Sequence, residues 1–242
     1  MFEEFLKSAA GHAVVGVLIA ALAVLIIDLN YRLFFKYVLD FLFALITVVV
    51  LSPAFIACAA VSKYREGRVY DKTPFLGAGG KVIYARSYAG AHRPFKNFAR
   101  VLDVLAGRLS FVGPCLMPVS DGAFLDDGAM QRFNTRPGIF SYLAVRGGEG
   151  LAYGDMFALD ARYAKKRELF YDIVAVLATV ALAIRGEGKA YLGEAATASY
   201  AETLLKSGAA SEKDVEQAEK IALEAIEEHE KRRQVRKSKY GA

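Results

Sequence analysis

The chain has 242 residues, a formal net charge of +5 and a hydrophobic fraction of 55%. This length allows one good-sized domain with appendages, and so much apolar sequence argues against a purely soluble protein. The two cysteines, Cys58 and Cys115, and the three histidines follow no disulfide or metal-ligand spacing. The sequence therefore predicts neither a disulfide framework nor a metal centre.

The first apolar run spans residues 13–29 and is at the short end of what crosses a bilayer. A signal peptide would begin with basic residues and end at a small-residue cleavage site, whereas two glutamates precede this run. We therefore expect a retained transmembrane helix within residues 1–34. Because Arg32 and Lys36 follow the run, the positive-inside rule places the later residues on the cytoplasmic side.

A second apolar segment, within residues 35–62, is interrupted by Ser52 and Pro53. It is long enough to cross the membrane, and a simple second span is one interpretation. However, basic residues on both sides of the segment favour both ends on one face, and a proline removes a backbone hydrogen bond and kinks a helix. These features predict a re-entrant, helix-break-helix hairpin that turns at Ser52 and Pro53.

From residue 63 the sequence becomes soluble in character, and we expect residues 63–190 to form a globular α+β domain on the cytoplasmic side. Gly77–Gly80 lacks the spacing of a phosphate-binding loop, so it predicts a hairpin turn or a flexible loop. Lys96–Pro114 predicts a short helix that runs into Gly107, followed by a strand at Leu109–Val112. Three acids of the next glycine-rich loop are expected to be solvated: Asp121, Asp126 and Asp127.

Three more helices are predicted towards the end of the chain. Tyr153–Tyr171 is typical of a helix with acidic residues first and basic residues last, and Leu169–Ile184 is apolar but too short to span a bilayer. In the extension 191–242, a capping box at Ser211–Asp214 predicts a charged helix to about Arg236. Its basic end indicates a solvated tail or docking on anionic lipid or a partner helix, and the lack of base-stacking aromatics argues against nucleic acid.

The segment GRLSFVGP, residues 107–114, resembles the (K/R)GDMSLVGPRP signature of the bacterial sugar transferases, the monotopic phosphoglycosyl transferases. Further segments are similar to family motifs in the same order: Leu51–Pro53, Tyr84–Tyr88, Arg136–Ile139, Met156–Tyr163 and Arg185–Gly188. The resemblance covers about residues 35–190. It implies a membrane-associated, phosphoglycosyl transferase-like domain on the cytoplasmic face of the bacterial inner membrane, in polysaccharide biosynthesis such as that of exopolysaccharide.

The resemblance also implies a ping-pong reaction by an Asp-Glu pair. The aspartate attacks a nucleotide diphosphate sugar and passes the phosphosugar to polyprenyl phosphate, assisted by the glutamate and Mg²⁺. Counting back from Gly113 places this pair at Lys96 and Asn97. A lysine ammonium repels Mg²⁺ and an asparagine amide carries no charge, and Cys115 and Leu116 stand where the signature has Arg-Pro. The sequence therefore predicts a pseudoenzyme with no catalytic residue and no bound metal or other cofactor.

We expect the chain to act at the lipid bilayer as a partner or regulator of an active phosphoglycosyl transferase, or to self-associate. Three basic residues are expected to hold a phosphate group, such as that of polyprenyl phosphate or a nucleotide sugar: Arg86, Lys96 and Arg136. Two alternatives stay open. One is a purely structural membrane protein, and the other is an active transferase with a rearranged nucleophile supplied by Asp71, Asp103 or Asp121.

Overall fold

The computed structural model describes residues 9–91, 95–146, 151–185 and 199–240. It is a mixed α+β structure, 71% helical, as the sequence predicts. The α-helices are α1 (Ala9–Asn30), α2 (Lys36–Val50), α3 (Ser52–Glu66), α4 (Val101–Leu105), α5 (Asp127–Met130), α6 (Tyr153–Lys165), α7 (Leu169–Arg185), α8 (Tyr200–Ser207) and α9 (Glu212–Tyr240). The strands are β1 (Tyr70–Leu76), β2 (Val82–Tyr88), β3 (Ser110–Val112), β4 (Met117–Pro118) and β5 (Gly138–Phe140). The last three residues of the predicted motif Arg185–Gly188 lie outside the described residues.

The apolar N-terminal region forms helices from Ala9 to Glu66. A π-helical turn, Tyr31–Phe35, joins α1 to α2. By length and hydropathy, no helix in the described ranges qualifies by itself as a membrane span, whereas α2 and α3 qualify as a pair with a bend of 73° between them. The transmembrane role of α1 and the re-entrant placement of α2–α3 therefore stay predictions.

The bend between α2 and α3 has a local cause in the sequence. Leu51 leaves helical geometry with φ −97° and ψ 17°, and Pro53 lies in the first turn of α3. A proline at this position loses no helical hydrogen bond, because the first N–H groups of a helix have no partner within it. Large apolar side chains of the pair are exposed, including Phe41, Leu42, Ile46, Val49 and Ile56, and a contiguous apolar surface of this kind suits lipid or a partner protein.

Two small sheets lie in the described part of the domain. β1 and β2 form an antiparallel hairpin in which Tyr70 faces Tyr88 and Leu76 faces Val82, and β4 pairs with the other edge of β1. Gly77 and the 3-10 turn Ala78–Gly80 connect β1 to β2, so the prediction of a turn at this glycine-rich stretch is confirmed. The second sheet pairs β3 with β5 in parallel.

The predicted helix and strand around Gly107 are both present. α4 ends just before Gly107, which has φ +69°, and β3 follows. Leu109 between them is completely buried, as is Tyr88 of β2. The residues before α4, Phe95–Arg100, form a 3-10 helix that packs against β2.

The C-terminal helices differ from the prediction at one point. A single helix over Tyr153–Tyr171 is wrong, because α6 ends at Lys165 and α7 begins at Leu169. Lys166 has φ −114° and ψ 31° and ends the helical path. The capping box of α9 is confirmed: the Ser211 backbone and hydroxyl donate to Asp214, and the helix runs to Tyr240.

Candidate functional site

Lys96 and Asn97, where the family resemblance predicts the Asp-Glu pair, lie on the Phe95–Arg100 3-10 helix. Lys96 is exposed and Asn97 is half-buried. Mg²⁺ prefers carboxylate oxygens as protein ligands, so an ammonium and an amide at these positions do not fit the ion. Within the described ranges, no group of three metal-ligating side chains comes together.

Asp103, the acid that follows these positions on α4, is fully buried at 0% exposure. Its Oδ2 accepts a hydrogen bond of 2.7 Å from the Arg86 backbone N–H, and its Oδ1 accepts one of 2.6 Å from Arg108 Nη2. The Arg86 side chain completes the cluster, with Nε 3.6 Å from Oδ1. A carboxylate held by two guanidinium groups and one amide in the interior cannot reach a substrate phosphorus. Asp103 therefore positions Arg86 and Arg108.

The other two proposed nucleophiles also have structural partners. Asp121 is buried and accepts hydrogen bonds from the hydroxyl of Ser199 and from the backbone N–H groups of Tyr200 and Ala201, at 3.0 and 3.2 Å. It therefore fixes the start of α8, and the expectation that it is solvated is wrong. Asp71, on β1, forms an exposed ion pair of 2.7 Å with Arg68.

The remaining two loop acids match the expectation of solvent exposure. Asp126 and Asp127 are both exposed. Asp126 caps α5, because its carboxylate accepts a hydrogen bond of 2.6 Å from the backbone N–H of Ala129.

Arg86 lines a basic cavity of about 200 Å³ between the β1–β2 hairpin and α9. The other basic side chains at this cavity are Lys72, Arg108, His229 and Arg233. α9 is held over the hairpin by the Tyr84 hydroxyl, which donates a hydrogen bond of 2.8 Å to Glu230. We call this cavity the hairpin cavity.

Lys96 and Arg136 do not line the hairpin cavity. The Arg136 guanidinium lies 4.4 Å from the ring centroid of Tyr37, beside Gly107, in a cation–π contact. The structure thus places the three residues predicted to bind phosphate in different surroundings, and phosphate binding by Lys96 and Arg136 stays a prediction.

Sequence reasoning missed the partners of Arg86. Lys72 is directly opposite Arg86 in the hairpin, which becomes visible only once the strand register is known. Arg108 stands where the resembled signature has an aspartate, and this reversal of charge is the signal that could have identified it. Nothing in the local sequence of Arg233 indicates that α9 returns to β2.

A buried polar network, which we call the Lys36 network, joins α2 to the domain. Lys36 is 1% exposed and its Nζ lies 2.5 Å from Asp172 of α7, which also accepts from the hydroxyls of Tyr31 and Tyr163. Asp40 accepts hydrogen bonds from the Ser110 hydroxyl and from the backbone N–H of Phe111 at 3.2 Å. These contacts of Asp40 fasten α2 to β3.

The loop after β3 is closed around a second buried pair. Arg132 Nη2 lies 2.6 Å from Asp160 of α6, and the Cys115 backbone N–H donates to the same carboxylate at 3.1 Å. Burial raises the pKa of Asp160 to about 6 although Arg132 lowers it, and burial raises the pKa of the Cys115 thiol to about 12. A thiol with so high a pKa is a poor nucleophile, so this centre is structural.

The comparison with protein-family models matches residues 94–186, which run from the 3-10 helix before α4 to the end of α7, to the bacterial sugar transferases. The match includes both aligned dyad positions and excludes β1, β2 and α9. No curated protein matches the chain.

Proposed function

Because residues 94–186 belong to the bacterial sugar transferase family, we propose that the chain serves glycoconjugate assembly without transferase chemistry of its own. It acts at the bacterial inner membrane as a partner or regulator of an active phosphoglycosyl transferase. The observation that carries this proposal is the absence of a usable carboxylate on the Phe95–Arg100 segment and α4: Lys96 and Asn97 occupy the aligned positions, and Asp103 is buried between two arginines.

The alternative of a rearranged nucleophile is weakened by the same geometry. A nucleophilic carboxylate has to approach the substrate phosphorus, and both Asp103 and Asp121 are buried and fully engaged. Asp71 alone among the three alternative candidates is partly exposed, on a strand that lies outside the family match. Of these three acids, Asp71 is therefore the one that could supply the nucleophile of an active enzyme.

The test is a turnover assay on the full chain in detergent. Purified protein receives nucleotide diphosphate sugars, Mg²⁺ and polyprenyl phosphate, and release of nucleoside monophosphate is followed. We expect none above the enzyme-free rate. Turnover that Asp71→Asn abolishes and the matched change of an exposed acid, Asp126→Asn, leaves intact would instead establish an active transferase.

A second test adds the chain to an active family member, with both proteins inserted in the same lipid vesicles. As a partner or regulator, the chain should change the rate of nucleoside monophosphate release by that enzyme. An unchanged rate, with both proteins folded and inserted, would favour the purely structural alternative.

A further inference from the structure

The hairpin cavity carries more positive charge than its surroundings neutralise. Asp103 pairs with Arg86 and Arg108 at the floor of the cavity. Among the described residues, neither Lys72 nor Arg233 forms an ion pair. The excess charge is therefore available to an anion.

The strand register places two of these positive charges directly opposite each other, which costs stability. Lys72 and Arg86 are direct cross-strand partners in the β1–β2 hairpin, and like charges at directly opposed positions destabilise a sheet. The Glu230 carboxylate above them accepts the hydrogen bond from Tyr84 and holds α9 in place. A bound anion between Lys72 and Arg86 would relieve the repulsion that the fold otherwise retains.

The size and chemistry of the cavity select the ligand. A water molecule occupies about 30 Å³ in the liquid, so a cavity of about 200 Å³ admits a group of several heavy atoms. It is smaller than the pockets of roughly 300–1,000 Å³ that enclose whole drug-sized ligands. Guanidinium groups bind phosphate oxygens through two parallel hydrogen bonds, and an ammonium adds a compact positive charge. We infer that the hairpin cavity binds a phosphate or diphosphate group, carried by a soluble nucleotide or by a lipid, whose remainder stays outside.

The inferred site spans two parts of the chain. Lys72, Arg86 and Arg108 belong to the hairpin and to the loop before β3, whereas Arg233 belongs to α9, outside the family match. A bound phosphate would therefore bridge α9 to the hairpin and hold this helix against the domain. The inference goes beyond the proposed function, because it holds whether or not the chain transfers a phosphosugar.

The test compares two neighbouring arginines of α9 in the full chain in detergent. Binding of pyrophosphate is measured by calorimetry for the wild type, Arg233→Gln and Arg232→Gln. Arg232 is the matched control, because it is exposed and pairs with Glu228 at 2.6 Å. We expect Arg233→Gln to weaken binding at least about tenfold, the usual effect of losing a hydrogen bond to a charged group, and Arg232→Gln to change it little. Added salt should weaken the binding of the wild type.

Two further binding experiments test whether the phosphate is carried by a soluble nucleotide or by a lipid, and a Lys96 variant tests whether Lys96 contributes to the site. A nucleoside diphosphate tests the soluble source, and neutral vesicles with and without polyprenyl phosphate test the lipid source. Binding in either arm that Arg233→Gln weakens and Arg232→Gln does not supports the site and names its source. The inference is overturned if neither arm shows binding that depends on Arg233, or if Lys96→Gln weakens it as strongly as Arg233→Gln does.

Discussion

Several aspartates of this protein are buried and hold neighbouring segments in place. Asp103, Asp121 and Asp160 each lie inside the domain and accept hydrogen bonds from backbone amides as well as side chains. A buried carboxylate is tolerated only when such partners replace its water. Asp103 and Asp121, which the sequence suggests as alternative nucleophiles, therefore hold separate segments of the chain together.

Asp160 gives the protein a defined pH dependence. Its pKa is raised by burial to about 6 from an ordinary 3.8, so between these values the folded state binds a proton that the unfolded state has lost. Its contribution to stability is therefore fully present below about pH 4 and is lost as the pH rises through 6, by roughly 3 kcal/mol in all. Asp160→Asn should remove this dependence.

The measurement is chemical unfolding of the wild type and Asp160→Asn in parallel from pH 4 to pH 7.5. Asp160→Asn removes the titrating carboxyl and keeps a neutral side chain of similar size beside the buried Arg132, so the stability of the variant should not change with pH through this position. The decisive quantity is the unfolding free energy of the wild type minus that of the variant. This difference should increase as the pH falls from 7 to 4. A constant difference would show that the carboxyl titrates as it does in water, and a difference that shrinks would show that folding lowers its pKa.

At the scale of elements, the family motifs have structural roles that do not need catalysis. A side chain at Gly113 would meet the Arg136 carbonyl at 2.5 Å, and one at Gly138 would collide with the Gly113 backbone, so the two motifs pack glycine against glycine. Tyr163 donates a hydrogen bond of 3.1 Å to the Val112 carbonyl. Packing alone therefore explains why these motif residues are present, without any role in catalysis.

The α2–α3 pair allows a direct test of the re-entrant hairpin. Lys36 is unsuitable for labelling because it is buried against Asp172, but Phe35 and Tyr64 are exposed at the two ends of the pair, at 52% and 91%. In a background without Cys58 and Cys115, cysteines at positions 35 and 64 should both resist an impermeant reagent added to intact cells and react after permeabilisation. Both ends of a re-entrant hairpin lie on the cytoplasmic face.

A matched variant examines the cause of the bend. Pro53→Leu restores the backbone N–H at the start of α3 and removes the steric barrier to a continuous helix, so part of the population should expose position 64 outside. Pro74→Leu, on β1, changes the same residue type outside the α2–α3 pair and should leave the labelling pattern unchanged. Labelling of position 64 but not of position 35 in intact cells carrying wild-type Pro53 would establish a straight second span.

The sequence predicts local elements well and long-range contacts poorly. The stop of α4 at Gly107 and the cap of α9 at Ser211 are set by residues within one turn, so composition and spacing suffice to find them. The hairpin cavity depends on the register of β1 and β2 and on the return of α9 to Tyr84, 146 residues earlier in the chain. No local sequence pattern predicts contacts between such distant segments. The one signal that points to the cavity is Arg108, which stands where the resembled signature has an aspartate.

For the molecule as a whole, the Lys36 network makes the α2–α3 pair and the globular domain one folded unit. α2 contributes Lys36 and Asp40, β3 contributes Ser110, and α7 contributes Asp172. Removing one partner of a buried ion pair leaves an uncompensated charge and costs about 3–5 kcal/mol, whereas replacing both partners by apolar residues is often nearly neutral. Changes at Asp172 should therefore affect the stability of the whole protein and depend on Lys36.

This coupling is measured with a double-mutant cycle. The hydroxyls of Tyr31 and Tyr163 donate to different oxygens of Asp172, so Asp172→Asn keeps an acceptor oxygen for only one of them. It also leaves Lys36 with Asp40, 3.9 Å away, as its only remaining carboxylate among the described residues. We expect a loss of about 3 kcal/mol in unfolding free energy in detergent, against little change for Asp155→Asn, an exposed acid in the first turn of α6. Lys36→Met should recover most of the loss when combined with Asp172→Asn, because the uncompensated charge is then gone. If the two effects instead add, the charges do not interact and the hairpin is held to the domain by apolar packing.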